Sequence, residues 1–283
     1  MPRINHNIPA MITGNSLRAV DRRISKSLEK LSTGLRINRA ADDAAGLSVS
    51  EQLRTQVRGL AMGSRNAQDG VSLLNIAEGA LIEVESMLQR MRELSIQAAS
   101  DTLTSTERGY IAVEYDQLRT EIDRIVNGTQ YNSQKLINGD APWGTATGGV
   151  LHIGPNDNSD GADVITISIS GVDTTSMGIS VTDSVFVTSQ VEATQSISAL
   201  DVALTSVNTL RADLGAKTNR LEHALLNQEN QEQNMAAAES VIRDADFAYE
   251  TTEFTRNQII QQSSTAMLAQ ANMVPQSVLS LLQ

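Results

Sequence analysis

Leu53, Leu60, Ala67, Leu74, Leu81 and Leu88 recur every seven residues without a break. Val57 and Val71 fill a second row, which continues after a shift as Val84, Met91 and Ala98. A heptad stripe of this length keeps one apolar seam on one helix face. The spacing predicts a single helix over about residues 45–99, roughly 80 Å long. No globular core is that long, so the pattern demands a bundle or coiled-coil rod. Aromatic residues are scarce, with one Trp, three Phe and four Tyr. The core volume must therefore come from Leu, Ile, Val and Ala packed between helices.

The flanking segments carry the same signal. Near the N-terminus Leu17, Ile24 and Leu31 are seven apart, with Leu28 and Leu35 as a companion row. Gly34 offers a helix stop. Ser48 to Glu51 reads S-x-x-E and is expected to start the long second helix. Thr104 to Glu107 is a second capping box, followed by Ile111, Tyr115, Leu118, Ile122 and Ile125 on one face, and Asn127-Gly128 closes that helix. After the middle of the chain, Leu200, Val207, Leu214 and Leu221 repeat every seven, with Ile197, Leu204 and Leu225 beside them. The last segment places Met267, Ala271, Val274, Val278 and Leu281 on one face, with Leu268 adjoining and Pro275 as a bend.

The middle has a different character. Between Lys135 and Arg211 there is no Lys or Arg. Ile165, Ile167 and Ile169 alternate with Thr166, Ser168 and Ser170, which is the period of a half-buried strand. Val150, Leu151 and Ile153, and Val185 to Val187, are weaker strand candidates. The fold class expected is mainly α: an elongated antiparallel helical rod or coiled coil built from both chain termini, with a small β-hairpin insert between. Exposed turns are expected in the insert, over about 140–188.

Charge and residue usage exclude several functions. The formal net charge is -11, and no stretch is basic enough for a nucleic-acid footprint. There is no Cys, which removes disulfides, Zn-thiolate sites and thiol nucleophiles. No run of 18 apolar residues exists, so no membrane insertion is expected. MPRINHNIPAMITGNSL lacks a basic segment followed by a continuous apolar core, so no cleaved secretory peptide is expected. The three His, His6, His152 and His223, form no H-E-x-x-H and no helical pair. Asp157, Ser159, Gly161 and Asp163 look like half a calcium loop, but its twelfth position is Ser168 rather than a carboxylate. GTATGG near Gly144 has no following G-K-[ST]. No enzyme activity, metal or cofactor is expected.

The two ends share an unusual property. From Asn257 to Gln283 there is no charged residue, and Ile4 to Leu17 has none apart from His6. Uncharged amphipathic ends want burial against each other or against further copies. Asp42 and Asp43 sit beside Arg36 and Arg39 in sequence, at the junction of the first two helices. They form either a solvated hinge with local ion pairs or a contact between subunits.

Longer motifs then carry a resemblance. RINHNIPA (Arg3–Ala10), EKLSTGLRINRAADDAAGLSVSEQLR (Glu29–Arg54), NAQDGVSLLNIAEGAL (Asn66–Leu81) and LQRMRELSIQAAS (Leu88–Ser100) resemble bacterial flagellin. So do LGAKTNRLEHALLN (Leu214–Asn227), AAAESVIRDADFAYE (Ala236–Glu250) and STAMLAQANMVPQSVLSLL (Ser264–Leu282). The resemblance implies the subunit of the flagellar filament, self-polymerising for motility, outside the cell or, alternatively, in a periplasmic flagellum. A hook–filament junction protein is the nearest rival.

Domains follow from the same resemblance. Residues 1–44 and 239–283 would be the two halves of an inner coiled-coil domain, with 45–140 and 189–238 supplying a rod and 141–188 a short variable insert. Assembly would use Leu17, Ile24, Leu28, Leu31, Leu35, Asp42, Asp43, Met267, Leu268, Val274, Val278 and Leu281. The partners implied are many copies of the chain itself, filament cap and hook–filament junction proteins, and an export chaperone at the C-terminal helix, roughly Arg256 to Leu282. Export through the flagellar type III route is implied as well. Arg90, Leu94, Gln97 and Glu114 match the positions that flagellins offer to the innate immune flagellin receptor. The Ser/Thr-rich insert, including Thr174, Thr175 and Ser176, could carry O-linked glycans; composition permits this without selecting sites.

Overall fold

A computed structural model of the chain describes residues 6–140, 142–144, 148–157, 161, 163–179 and 187–280, with side chains up to 273. It is mainly helical. The elements are α1 (Ile8–Thr33), α2 (Ala44–Ala98), α3 (Ser105–Gly128), β1 (Gln130–Tyr131), β2 (Gln134–Lys135), β3 (Gly149–His152), β4 (Val164–Ile167), α4 (Gln190–Arg243) and α5 (Phe247–Ser280). The chain divides into two compact units. The first joins the chain ends, Met1–Thr55 with Asn234–Gln283, and the second is Gln56–Gln233. No helix among the described residues is long and apolar enough to cross a membrane.

In the second unit the heptad rows become the core. Leu60, Ala67, Leu74, Leu81 and Leu88 of α2 are buried, as are Leu200, Val207, Leu214 and Leu221 of α4. Ile111, Tyr115, Ile122 and Val126 bring α3 into the same cluster. Thr104 and Glu107 make the expected reciprocal capping box at the start of α3. Ion pairs tie the long helices together: Arg92 meets Asp201 at 2.6 Å, and Arg211 of α4 pairs with Glu85 of α2.

One detail of the helix boundaries differs from expectation. Gly34 ends α1 in the left-handed conformation, φ 72°, as predicted. Ser48 does not start α2, however, because the helix is already under way at Ala44. Asp43 takes the capping role, its carboxylate accepting from the Gly46 N–H at 2.9 Å. Both residues are good caps by type, and the loop before Ala44 decides between them.

The middle of the chain keeps exposed turns at Asn156 and Asp157 and at Thr175 and Ser176, while its strands pack into the core. β3 and β4 pair antiparallel, with Gly149 opposite Ile167 and His152 opposite Val164. Ile165 and Ile167 turn inward from β4, and Ile169, just beyond the strand, is buried as well. Ile153, Val172, Met177, Ile179 and Val187 join the cluster of the helices. Val185 and Phe186 lie outside the described residues, and Val187 is in a bend. Trp143, the single Trp, stands over Gly149 and donates its indole N–H to Gln134 Oε1 at 3.1 Å.

Polar clamps hold this segment down. Asn66 donates to the His152 carbonyl at 2.8 Å, and Gln228 donates to the Ile153 carbonyl. Gly59 and Gly63 leave α2 bare where residues 153–155 pass over it: a Cβ at Gly59 would lie 2.8 Å from Pro155 Cβ, and one at Gly63 would collide with the Ile153 carbonyl oxygen. Asp123 accepts from both the N–H and the hydroxyl of Thr174, at 3.0 and 2.9 Å. Thr174 is therefore buried and its hydroxyl occupied, which removes it from the candidate glycan carriers; Thr175 and Ser176 are exposed.

Candidate self-assembly and binding surfaces

In the first unit α1 and α5 run antiparallel. Asn7 donates to the Ala271 carbonyl at 2.9 Å, Gln261 to Asp21 at 2.7 Å, and Lys30 to Glu250 at 2.5 Å. The side chains most deeply buried between the helices are Val20 and Ser27 on α1 and Glu250 and Asn257 on α5. Leu17, Ile24, Leu31 and Leu35 are only half-buried. Leu28, expected in the same stripe, is 50% exposed. The physical reason is register: the seam steps through 20, 24, 27 and 31, and Leu28 stands one position, about 100°, past Ser27.

The C-terminal stripe splits in the same way. Leu268 and Ala271 are half-buried towards the seam, whereas Met267 is 60% exposed. The side chains of Val274 and Val278, and all of Leu281, lie outside the described residues. Large apolar side chains instead line the outside of the pair. Ile8, Met11 and Ile12 do so on α1, and Phe247, Ile259 and Met273 on α5. The seam thus mixes Val20, Ile24 and Leu31 with Ser27, Glu250 and Asn257, and the pair leaves large apolar side chains on its outside, where a soluble coiled coil carries polar ones. About half of each of those outer side chains is still exposed, so removing the rest from water would gain on the order of 1 kcal/mol apiece.

The junction residues find local partners, and Asp42 meets the backbone N–H of Arg39 rather than its guanidinium. Asp42 pairs with Lys26 at 2.7 Å and accepts from the N–H groups of Asn38 and Arg39. Arg39 turns to Glu29 at 2.9 Å, and Arg36 donates to the Ile242 carbonyl. Leu35 and Asp244 form an antiparallel bridge, and Arg243 meets Glu51 at 2.6 Å. Asp42 and Asp43 therefore serve the turn between α1 and α2.

The Lys26 hydrogen bond, followed by the backbone donors, holds the Asp42 carboxyl below its ordinary value. A depressed acid stabilises the folded form fully above its unfolded pKa and loses that contribution as pH falls through the folded one. Acidification below about pH 4 is thus expected to loosen residues 35–43. The protection factors of the Asn38 and Arg39 amides should fall there, although intrinsic exchange itself slows in acid. Unchanged protection factors between pH 7 and pH 3 would contradict it.

On the second unit Arg90 and Glu114 come together, Arg90 Nε lying 2.9 Å from Glu114 Oε1. Glu93 also accepts from Arg90, at 3.0 Å. Gln97 is exposed on α2. Leu94 is different: it is 2% exposed and belongs to the core. The heptad that supplies the α2 seam points it inward, so it cannot be part of a surface contact in this fold.

No group of three or more metal-ligating side chains occurs among the described residues. His6, His152 and His223 are exposed and lie on separate elements. Asp163 accepts from the Asn156 N–H at 3.2 Å, which makes it part of a turn, and Ser159 lies outside the described residues.

Sequence reasoning missed the clamps Asn66, Asp123 and Gln228. All three are polar residues inside helical patterns, and nothing in their spacing distinguishes them from solvated positions.

Comparison with known proteins gives consistent matches. The bacterial flagellin N-terminal helical region matches residues 4–141, and the bacterial flagellin C-terminal helical region matches 197–282. The chain is 45% identical over 281 residues to a flagellin of Halalkalibacterium halodurans, covering 99% of each. It is 43% identical over 287 residues to the flagellar filament 33 kDa core protein of Treponema phagedenis, again covering 99% of each. Among solved structures, it is similar to a flagellar hook-associated protein from Vibrio parahaemolyticus, with TM-score 0.56 and 16% identity over 71% of this chain and 99% of that one. At that identity the likeness concerns the fold alone.

Proposed function

The chain belongs to the bacterial flagellin family, and from that premise we propose that its copies join through the apolar outer faces of α1 and α5 into one helical filament. It is a structural protein of the bacterial flagellum and not an enzyme. The observation that carries the assembly mode is the set of large apolar side chains left exposed on the α1–α5 pair. Its seam is filled by Val20, Ser27, Glu250 and Asn257, yet Ile8, Met11, Ile259 and Met267 face outward. Burial of such faces removes apolar area from water only when copies associate. A head-to-tail contact that does not close gives a filament.

Electron microscopy of concentrated protein, with and without short filament seeds, tests this. Long uniform filaments are expected. Protein that stays monomeric even with seeds would instead favour a hook–filament junction role. The end-to-end identity of 45% to a flagellin, against 16% to the hook-associated structure, supports the filament subunit. The comparable 43% identity to a Treponema filament protein gives equal support to a periplasmic filament.

Further partners belong to the same reading: filament cap and junction proteins at the ends of the polymer, and an export chaperone covering the apolar face of α5 before secretion. For the innate immune flagellin receptor, the contact surface is Arg90 and Glu114 with Gln97, without Leu94. Monomer applied to a receptor-reporter cell line is expected to give a strong signal. Arg90→Ala should lower potency about tenfold, the size of one interface hot-spot residue. Equal potency of the two proteins would remove Arg90 from the contact.

A further inference from the structure

We propose that Arg18, Arg22 and Arg23 on α1 form an ionic contact with Glu229, Glu232 and Glu239 on α4 of a second copy of the chain. The contact rests on the self-assembly proposed above and adds a charge-defined register to it.

The three arginines are exposed, and among the described residues none of them makes an ion pair or a side-chain hydrogen bond. Their neighbours in the first unit are all engaged. Lys26 is held by Asp42, Lys30 by Glu250, Arg39 by Glu29, Arg243 by Glu51 and Arg256 by Glu253. Nor can α5 supply a partner at their level. Asp21 lies against Gln261, so residues 18–23 stand opposite the stretch of α5 that begins near Asn257. From Asn257 onward that helix has no charge at all. Asp21, the one acid among them, accepts from Gln261, so among the described residues the three guanidiniums stand without an ion pair on a chain whose net charge is -11.

The glutamates are the complementary case. Glu229, Glu232 and Glu239 are spaced three and seven apart on α4, which puts them on one face. Their carboxylates make no ion pair and no hydrogen bond among the described residues. The acids just beyond them are occupied: Asp244 accepts from Ser240 at 2.6 Å, and Asp246 caps α5 through the Ala248 N–H at 2.8 Å. Glu229 to Glu239 span about 15 Å along the helix, and Arg18 to Arg23 rise about 8 Å. Long arginine stems cover the difference. A patch on one element meeting a different patch on the next copy is a heterologous contact, the kind that propagates.

Seeded filament growth tests the contact in about 50 mM and about 1 M NaCl, where the screening lengths differ several-fold. The proteins are wild type, the triple variant Arg18→Glu/Arg22→Glu/Arg23→Glu, the triple variant Glu229→Lys/Glu232→Lys/Glu239→Lys, and the chain carrying all six. At low salt each triple variant should raise the critical concentration on the order of tenfold, the size expected of three exposed ion pairs. The six-fold variant should return to near the wild-type value, and high salt should erase the differences. Circular dichroism of each monomer checks folding. If a reversal variant does not fold, Arg18→Gln/Arg22→Gln/Arg23→Gln takes its place, with a rise in critical concentration at low salt again expected. Either triple variant growing like wild type at low salt overturns the contact, as does a six-fold variant with no rescue. Failure of the wild type itself to grow would overturn the self-assembly reading instead, so the two outcomes are distinct.

Discussion

Gly63→Ala is expected to destabilise residues 56–233 by about 2–4 kcal/mol, through overpacking and the loss of a buried hydrogen bond. The added methyl would strike the Ile153 carbonyl oxygen, which is backbone and cannot swing aside. Moving residues 151–155 away would also strip that carbonyl of its bond from Gln228. Gly79→Ala is the matched control on the same helix. Nothing lies within 4 Å of a Cβ there. That substitution should stabilise by up to about 1 kcal/mol, because alanine is the better helix former. Urea unfolding followed by Trp143 fluorescence reads both, since the single Trp is buried within this unit. The two variants moving the midpoint in the same direction would mean that the hairpin does not press on α2 at Gly63.

Ile259→Glu should abolish seeded filament growth while leaving the monomer intact. Ile259 is 59% exposed on α5, and a surface exchange away from internal contacts changes stability by about 0.5 kcal/mol or less. In an apolar contact between copies the same carboxylate would be desolvated without a partner, a cost of several kcal/mol in each subunit added. Circular dichroism melts should therefore overlay those of the wild type, and micrographs should show no elongation of seeds. Normal elongation would place this face of α5 outside the contacts between subunits. Loss of the monomer fold would show that Ile259 serves the first unit internally.

The long helices were legible because burial on α2 and α4 follows a fixed seven-residue step. Leu60 to Leu88 and Leu200 to Leu221 each sit on one face, and two such faces bury each other. Local chemistry was equally legible where a motif satisfies itself, as at Gly34 and the Thr104–Glu107 box. The reading weakened where a choice depends on what lies opposite. Ser48 and Asp43 are both competent caps, and the loop that ends at Asp43 selects one. Leu94 reads as a surface anchor in a motif and as a core leucine in a heptad, and packing gave it to the core. Leu28 and Met267 fit an apolar stripe by spacing, yet the seam passes beside them.

The sequence by itself determined the helix-dominated class, the β-hairpin in the middle and the uncharged, association-prone ends. Each of these rests on period, composition or a motif of a few adjacent residues. Tertiary structure alone decided that the α1–α5 seam takes in Ser27, Glu250 and Asn257 while Ile8, Met11 and Ile259 stay outside, and that Asn66, Asp123 and Gln228 fasten the insert to the helices. It also decided that Gly59 and Gly63 are bare so that a backbone can pass over them. Those features join residues from 51 to 264 positions apart, and no local period records which residues will meet at such separations.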